Sequence, residues 1–365
     1  MLSWALVTAF CGFVKNFAGL VVCRIMLGFC ESALFPSLNL YISMFWKREE
    51  LAKRSAQLFV AMALAGAFGG LLAYGLVQIH ASEEGWGKEG WRWLFWVEGM
   101  ISFVIGVFAY WLYPDGPETA YFLTEEERDI GRRRLVRHGN YEPYAFSDVR
   151  AALTSPICYL SGLLQLCCDT YLYSVTTFLP VIVRGMGFTS LQAQYLTIPI
   201  YVAAAIGIFF MAFLSDRLQR RAPIMLIFSL FTVAGYSILL GNHTPAVNYF
   251  ACYLVLFGGY VFGLNVTWIN GNTSPHYKRA TAIAMNQTLG NLGGVVAGQI
   301  YLSSEKPYYT TGHSVALAGC CLSWFVTIVM WIMFKRRNER KERMVAEGVE
   351  DKWSGDDSIH FKYLL

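Results

Sequence analysis

Two charged residues lie inside one apolar stretch, and their types suit a site for an anion and a proton. Arg24 and Glu31 occur in residues 19–46, GLVVCRIMLGFCESALFPSLNLYISMFW, which are long enough to cross a bilayer. A charge at the membrane centre costs from about 2.5 to more than 10 kcal/mol, so such residues need a reason. Seven residues on a helix place both side chains on one face, roughly 10 Å apart along the axis. The pair indicates a working site that faces a wet cavity, or alternatively a buried ion pair that fixes helix packing.

Other hydrogen-bonding side chains also fall within apolar segments. Gln165, Asp169 and Tyr173 recur every four residues and share one helix face, which must face protein or water. A cavity-lining role and a structural hydrogen-bond network fit them equally well. The segments 248–271 and 280–302 carry further side chains that could bind a carboxylate or join helices. These are Asn265, Trp268, Asn270, Asn286, Gln287 and Asn291.

Two features predict helix packing rather than chemistry. Glu98, in GWRWLFWVEG, lies close to Arg92, and we expect a structural role for both residues. Glycine recurs every four residues at 290, 294 and 298, and again at 66 and 70. This small-xxx-small pattern lets membrane helices approach closely.

The composition defines the class of protein. Apolar residues make up 55% of the 365 residues and charged residues only 15%, against about a quarter charged in soluble domains. We therefore predict an all-α polytopic membrane protein with no nucleic-acid partner.

Ten segments have the apolar character of spans: 2–17, 19–45, 56–79, 91–113, 157–183, 191–214, 222–241, 248–271, 280–302 and 313–334. The first is short, at about 24 Å against a hydrocarbon core of about 30 Å, and no basic region precedes it, so we expect no cleaved signal peptide.

The basic residues predict the orientation. Most of the 29 Lys and Arg residues fall in the polar segments 46–55, 114–156, 215–221, 276–279 and 335–365. By the positive-inside rule these segments and the C-terminus are cytoplasmic. The predicted organisation is a partial N-terminal bundle of four spans (1–113), a cytoplasmic linker (114–156), a six-helix bundle (157–334) and a cytoplasmic tail (335–365). Within the linker, Thr124 and Glu127 are spaced as a capping box that opens a short helix.

No motif supports an enzyme. The nine cysteines form no CxxC pair, and no Walker loop, GxSxG or HExxH occurs. We therefore expect no metal and no cofactor.

Several runs of sequence, in order along the chain, resemble one family of transporters. The runs are RIMLGFCESALFPS, WKREELAKR, LAGAFGGLLAYG, GWRWLFWVEG, YPDGPETAYFLTEEER, GNLGGVVAGQIY and the terminal HFKYLL. They are similar to the fungal allantoate permease group of the anion:cation symporter family, within the major facilitator superfamily. The resemblance implies twelve spans and aligns the span that carries Arg24 and Glu31 with the fourth helix of the family. The first span of this chain then corresponds to the third helix, so about ten spans (4 + 6) are present. It also implies that the first-half loop with the superfamily's Asp-Arg signature is absent, and that Asp216 and Arg217, in SDRLQRR, are its second-half counterpart with a gating or structural role.

The resemblance implies a secondary-active transporter that couples a small organic carboxylate to protons. Nicotinate, allantoate, pantothenate and biotin are equally compatible substrates. A cation attracts the carboxylate substrate. Desolvation raises the pKa of a nearby acid and the cation lowers it, so that acid can bind and release a proton near neutral pH. The implied protein is a plasma-membrane monomer in the lipid bilayer.

Two alternatives remain open: a nutrient receptor of transporter ancestry, and a truncated fragment that does not transport. A midplane site between two six-helix halves loses part of its wall without two helices. We therefore expect the 365-residue chain alone to insert poorly or to accumulate no carboxylate, and restoring two leading spans to rescue both properties.

Overall fold

The computed structural model describes residues 1–46, 50–77, 89–136, 145–241, 243–306, 308–351 and 353–365, and its α-helices account for most of them. Helices dominate because a backbone in lipid must satisfy its hydrogen bonds within the segment. The first helices are α1 (Leu2–Cys11), α2 (Phe17–Glu31), α3 (Leu34–Phe45), α4 (Leu51–Val77), α5 (Gly90–Leu112), α6 (Glu125–Val136) and α7 (Phe146–Thr154). They are followed by α8 (Pro156–Gly185), α9 (Ser190–Leu218), α10 (Ala222–Leu240), α11 (Pro245–Gly259), α12 (Val261–Asn272), α13 (His276–Ile300) and α14 (Thr310–Ala346).

Within the described residues, seven helical stretches are long and apolar enough to cross a membrane. They are Phe17–Ile42, Gly90–Leu112, Pro156–Gly185, Gln192–Leu218, Ala222–Leu240, Pro245–Asn272 and Thr310–Ala346. The predicted spans 56–79 and 280–302 are also helical, as α4 and α13. The predicted span 2–17 is wrong in its length, because α1 has only ten residues and a separate cap at Asn16 starts α2.

Two predicted spans are not continuous helices. In the span 19–45, α2 ends at Glu31 and α3 begins at Leu34, because Pro36 has no N–H to donate to the carbonyl of Ser32. In the span 248–271, α11 ends at Gly259 and α12 begins at Val261. Glycine in a helix interior costs about 1 kcal/mol relative to alanine, and Gly258 and Gly259 stand directly before this break.

The chain divides into two compact units. The first contains Met1–Phe45 and Phe68–Arg133, and the second contains Trp46–Ala67 and Arg134–Leu365. In the first unit α1 packs on α5 at Gly99, where an added Cβ would stand only 2.7 Å from the backbone nitrogen of Ala9. In the second unit α8 packs on α13 and α14, and α10 packs on α11.

The glycine pattern predicted close packing, and the structure shows which glycines use it. A Cβ on Gly290 would lie 2.4 Å from Gln165, and one on Gly293 would lie 2.6 Å from the backbone nitrogen of Thr170. Gly294 has only ordinary contacts with Tyr173, and Gly298 has no neighbour within 4 Å among the described atoms. The close face of α13 is therefore formed by Gly290 and Gly293. In the other pair, Gly66 packs on Tyr201 at 3.0 Å, while the surroundings of Gly70 lie outside the described residues.

The capping box at the start of α6 is confirmed. The backbone N–H of Thr124 donates to Glu127 at 2.9 Å, and the N–H of Glu127 donates to the Thr124 hydroxyl at 3.3 Å. The hydrogen bonds from Thr124 lower the pKa of the Glu127 carboxyl. Because the folded pKa is depressed, this contribution to helix stability is present above the ordinary pKa of a glutamate and is lost as the pH falls.

Candidate functional site

A buried hydrogen-bonded cluster lies where α8 meets α12 and α13 in the second unit. Gln165 and Asp169 share one face of α8, as their spacing predicts, and both are buried. The Gln165 amide donates to the Asp169 carboxyl oxygens at 3.2 and 3.3 Å. Asn265 on α12 donates in turn to the Gln165 carbonyl oxygen at 2.9 Å.

Ser161, which is not among the predicted site residues, connects the amides of Asn265 and Asn286. Its hydroxyl donates to Asn265 Oδ1 at 3.1 Å, and Asn286 Nδ2 donates to that hydroxyl at 2.7 Å. Gln287 donates to Asn286 Oδ1 at 3.4 Å. Ser161 stands four residues before Gln165, so the same i, i+4 spacing that links Gln165 to Asp169 could have identified it. We call Ser161, Gln165, Asp169, Asn265, Asn286 and Gln287 the polar cluster.

Asp169 is the one acidic member of the polar cluster. It is 5% exposed, and within the described part of the chain no basic side chain forms an ion pair with it. Burial of an ionised carboxyl without a cation is costly, and the Gln165 amide that donates to the carboxyl oxygens offsets only part of this cost. Asp169 is therefore a candidate for an acid that binds a proton.

The space for the Asp169 carboxyl exists because residue 290 is a glycine, which has no side chain. A Cβ there would meet Gln165 Cγ at 2.4 Å and Asp169 Oδ2 at 2.5 Å. We expect Gly290→Ala to displace both side chains and to destabilise the protein by about 1–3 kcal/mol, the usual cost of overpacking. The check is the thermal unfolding temperature of the purified protein in detergent. Gly298→Ala on the same helix is the matched control, because a methyl there enters open space; equal Tm values for the two variants would contradict this packing.

The remaining predicted residues of the second unit divide between two places. The Tyr173 hydroxyl donates to Asn291 Oδ1 at 3.3 Å, and both residues are exposed. Trp268 is fully buried, and its Nε1 donates to the carbonyl oxygen of Leu364 at 2.8 Å. Trp268 therefore holds the end of the chain in this structure rather than joining the polar cluster. Asn270 is likewise buried on α12.

The last residues, 353–365, form a terminal segment that packs on α12, α13 and α14 within the second unit. Asn272 and the backbone of Leu364 exchange two hydrogen bonds, of 2.7 and 2.9 Å, and Asn338 and the backbone of Tyr363 exchange two more, of 2.8 and 2.9 Å. A buried ion pair joins Lys278 Nζ to Asp356 Oδ1 at 2.6 Å. The sequence predicts a tail here but not its packing, because the partners of this segment lie far away in sequence.

Arg24 and Glu31 lie on α2 in the first unit, and both are exposed. The guanidinium of Arg24 stands 5.5 Å from the centre of the Phe95 ring. Glu31 is the last residue of α2, directly before the break in the helix. Among the described residues the two do not form an ion pair, which disfavours the interpretation as a buried packing pair.

Arg92 has a structural role, but its partner is not Glu98. Its guanidinium forms an ion pair with Glu89 at 3.1 Å and donates to the carbonyl oxygens of Gly12 and Val14 at 2.8 and 2.9 Å. Arg92 thus binds the chain that leaves α1, where backbone carbonyls lack helical partners. Glu98 is half-buried on α5.

Asp216 pairs with Arg221 instead of its neighbour Arg217. Arg221 donates to Asp216 Oδ1 at 2.9 Å, and the guanidinium is buried. The other carboxyl oxygen accepts the backbone N–H of Lys53 at 2.6 Å, in the first turn of α4, where a negative charge is favoured by the helix dipole. Arg217 is exposed. One carboxylate therefore joins the start of α4 to the turn between α9 and α10.

Removal of the Asp216 charge is expected to lower the stability of the protein. Asp216→Asn removes the carboxylate charge that pairs with the buried guanidinium of Arg221, and we expect a loss of about 3 kcal/mol in unfolding free energy. A lower Tm in detergent measures it. Arg217→Gln, the exposed neighbour, should leave the Tm unchanged; if Arg217→Gln is the more damaging substitution, this assignment of the pair is incorrect.

This arrangement of membrane-spanning helices around a buried polar cluster is typical of a multi-pass transporter, and the comparisons with known proteins agree. The chain belongs to the Major Facilitator Superfamily, whose family model matches residues 1–298. By fold it is similar to an E. coli fucose:proton symporter, with a TM-score of 0.64, 14% identity, and coverage of 90% of this chain and 80% of that one. It is also similar to a proton:xylose symporter, with a TM-score of 0.67, 16% identity, and coverage of 90% and 78%.

Curated relatives are similar over nearly the whole chain. An uncharacterized transporter of Schizosaccharomyces pombe is 40% identical over 100% of this chain and 73% of its own length. The high-affinity nicotinic acid transporter of Saccharomyces cerevisiae is 34% identical over 96% of this chain and 67% of its own length. The relatives are transporters rather than enzymes, and the chain is a multi-pass membrane transporter of this superfamily.

Proposed function

We propose that this transporter takes up a small organic carboxylate together with protons, as a member of the allantoate permease-type group. The observation that carries the proposal is the polar cluster, which places one acid and several amides in the membrane part of the second unit. Amide and hydroxyl donors suit a carboxylate, and an acid without a cationic partner suits a proton. The similarity to a nicotinic acid transporter supports a monocarboxylate as the substrate.

The charged residues of α2, in the first unit, provide a cation and a second candidate acid for this function. The exposed guanidinium of Arg24 is the cation that attracts the carboxylate, and Glu31 is the acid that carries the coupled proton. Arginine suits the first task because its planar fork binds both oxygens of a carboxylate. Asp169 is a second acid that can take part in proton exchange.

The proposed setting is the plasma membrane, with a monomeric chain and its C-terminus in the cytoplasm. The excess of Lys and Arg in the segments around α6 and after Phe334 supports this orientation. The terminal segment then lies at the cytoplasmic ends of α12, α13 and α14.

Uptake by yeast cells that lack their own nicotinic acid transporter tests the proposal. The chain is expressed both alone and joined to the two leading spans of that transporter, since the resemblance implies twelve helices. Radiolabelled nicotinate, allantoate, pantothenate and biotin are supplied, with nicotinamide as the uncharged counterpart of nicotinate.

We expect saturable accumulation of at least one carboxylate and no accumulation of nicotinamide. Equal uptake of nicotinate and nicotinamide would contradict recognition of the carboxylate. Binding of a carboxylate without accumulation in either form would favour a receptor and overturn the proposal.

A further inference from the structure

A cavity of about 460 Å³ opens between the polar end of α14 and the terminal segment. Arg337, Arg340 and Lys341 line it from α14, and Trp353, Asp357 and Tyr363 line it from the terminal segment. Its volume lies in the range of small-molecule sites in proteins. It lies at the end of α14, separate from the polar cluster that lies where α8 meets α12 and α13.

The wall of this cavity is held in place by contacts already described and by one lysine. Asn338 binds the backbone of Tyr363, and Lys278 binds Asp356, the neighbour of Asp357. Lys341 donates to the backbone oxygens of Asp356 and Phe361 at 2.5 and 3.1 Å. The terminal segment is therefore fixed against α14, and the cavity is a built feature of the fold.

The charge of the lining is cationic. Three basic side chains face one acid, Asp357, whose carboxylate lies 3.5 Å from Lys278 Nζ, and Lys278 pairs more closely with Asp356. The guanidinium of Arg340 is exposed, and that of Arg337 stands 5.9 Å from the centre of the Tyr363 ring. Two guanidinium groups one turn apart suit the oxygens of phosphate groups, which arginine binds at two points.

The depth of the cavity points to the membrane surface. The apolar part of α14 ends at Phe334, and Lys335 begins its basic end. At 1.5 Å per residue, Arg337 lies about 4.5 Å and Lys341 about 10 Å beyond Phe334 along the axis. The headgroup layer on each side of a hydrocarbon core is about 5–7 Å thick. Phosphate groups of lipids lie at this level.

We propose that the cavity binds a phosphorylated anion, and that its depth favours the headgroup of an anionic phospholipid over a free phosphate compound. The site is distinct from the transport site and does not rest on the proposed function. Basic residues near an anionic membrane surface strengthen binding by roughly fivefold each, so two arginines supply roughly 25-fold.

Ligand binding to the purified 365-residue chain in neutral detergent tests this site. The probes are dioctanoyl phosphatidylinositol bisphosphate, its soluble headgroup inositol trisphosphate, and dioctanoyl phosphatidylcholine as the zwitterionic control. The fluorescence of Trp353 in the lining, compared with a Trp353→Phe variant, reports occupancy. The variants are Arg337→Gln/Arg340→Gln and Arg340→Gln alone, and Arg336→Gln/Arg343→Gln is the control that removes the same charge outside the lining.

We expect saturable binding of the phosphoinositide that weakens roughly 25-fold in the double variant, roughly fivefold in Arg340→Gln, and little in the control. Binding of the lipid but not of inositol trisphosphate identifies a membrane source, and equal binding of both identifies a free phosphate compound as a competent ligand of the same site. Absence of saturable binding by either anion would overturn the proposal. An equal loss in the lining variants and the control would also overturn it, because the binding would then follow total charge.

Discussion

Replacement of Glu31 by glutamine is expected to abolish uphill uptake of the carboxylate while leaving exchange of substrate across the membrane intact. Glutamine keeps the shape and hydrogen-bonding capacity of the side chain but cannot carry a proton. With one proton per carboxylate, each pH unit of gradient supports about tenfold accumulation, because tenfold corresponds to about 1.4 kcal/mol. Without coupling, the ratio of internal to external substrate falls to about one. Accumulation under an imposed pH gradient and counterflow in its absence measure the two properties separately.

The matched control is Glu98→Gln, which makes the same chemical change at a half-buried acid on α5 of the same unit. It should accumulate substrate normally. If Glu31→Gln accumulates substrate as the unmodified protein does, Glu31 does not carry the coupled proton, and Asp169→Asn becomes the variant to measure.

Replacement of Arg24 by lysine should impair transport severely even though the charge is kept. Lysine offers one rotating ammonium in place of a planar fork, so the second hydrogen bond to a carboxylate is lost. A charge-assisted hydrogen bond contributes about 1.5–3 kcal/mol, so we expect KM to rise roughly 10- to 100-fold. The concentration dependence of initial uptake measures this change.

Arg184→Lys serves as the control, since Arg184 is exposed in the last turn of α8. It should leave KM unchanged. Normal apparent affinity in Arg24→Lys would show that the fork is not used and that Arg24 packs against Phe95 instead.

The sequence predicts best those features that depend on neighbours along the chain. The capping box of Thr124 and Glu127 and the shared face of Gln165 and Asp169 both follow from spacings of three or four residues, and the structure contains both. The apolar segments predict where helices occur because lipid forces the backbone to bond within the segment.

Features that depend on distant neighbours were not predictable in this way. The partners of Arg221 and Arg92 differ from the nearest charges in sequence, because the turn geometry decides which carboxylate each guanidinium reaches. The sequence predicts Trp268 as a site residue, whereas in the structure its Nε1 donates to the carbonyl oxygen of Leu364, 96 positions away. Close packing likewise occurs at Gly293 and not at Gly298, because α8 lies opposite Gly293.

Proton movement driven by substrate is the most direct test of the proposed transport. The purified transporter, in the form that shows uptake, is reconstituted into vesicles that contain a pH-sensitive dye, with equal pH on both sides. An inward gradient of nicotinate, or of whichever carboxylate is transported, is then imposed. Protein-free vesicles correct for diffusion of the neutral acid. We expect the interior to acidify as substrate enters, and we expect no acidification in vesicles with Glu31→Gln. Entry of the carboxylate with no change in internal pH would contradict this expectation.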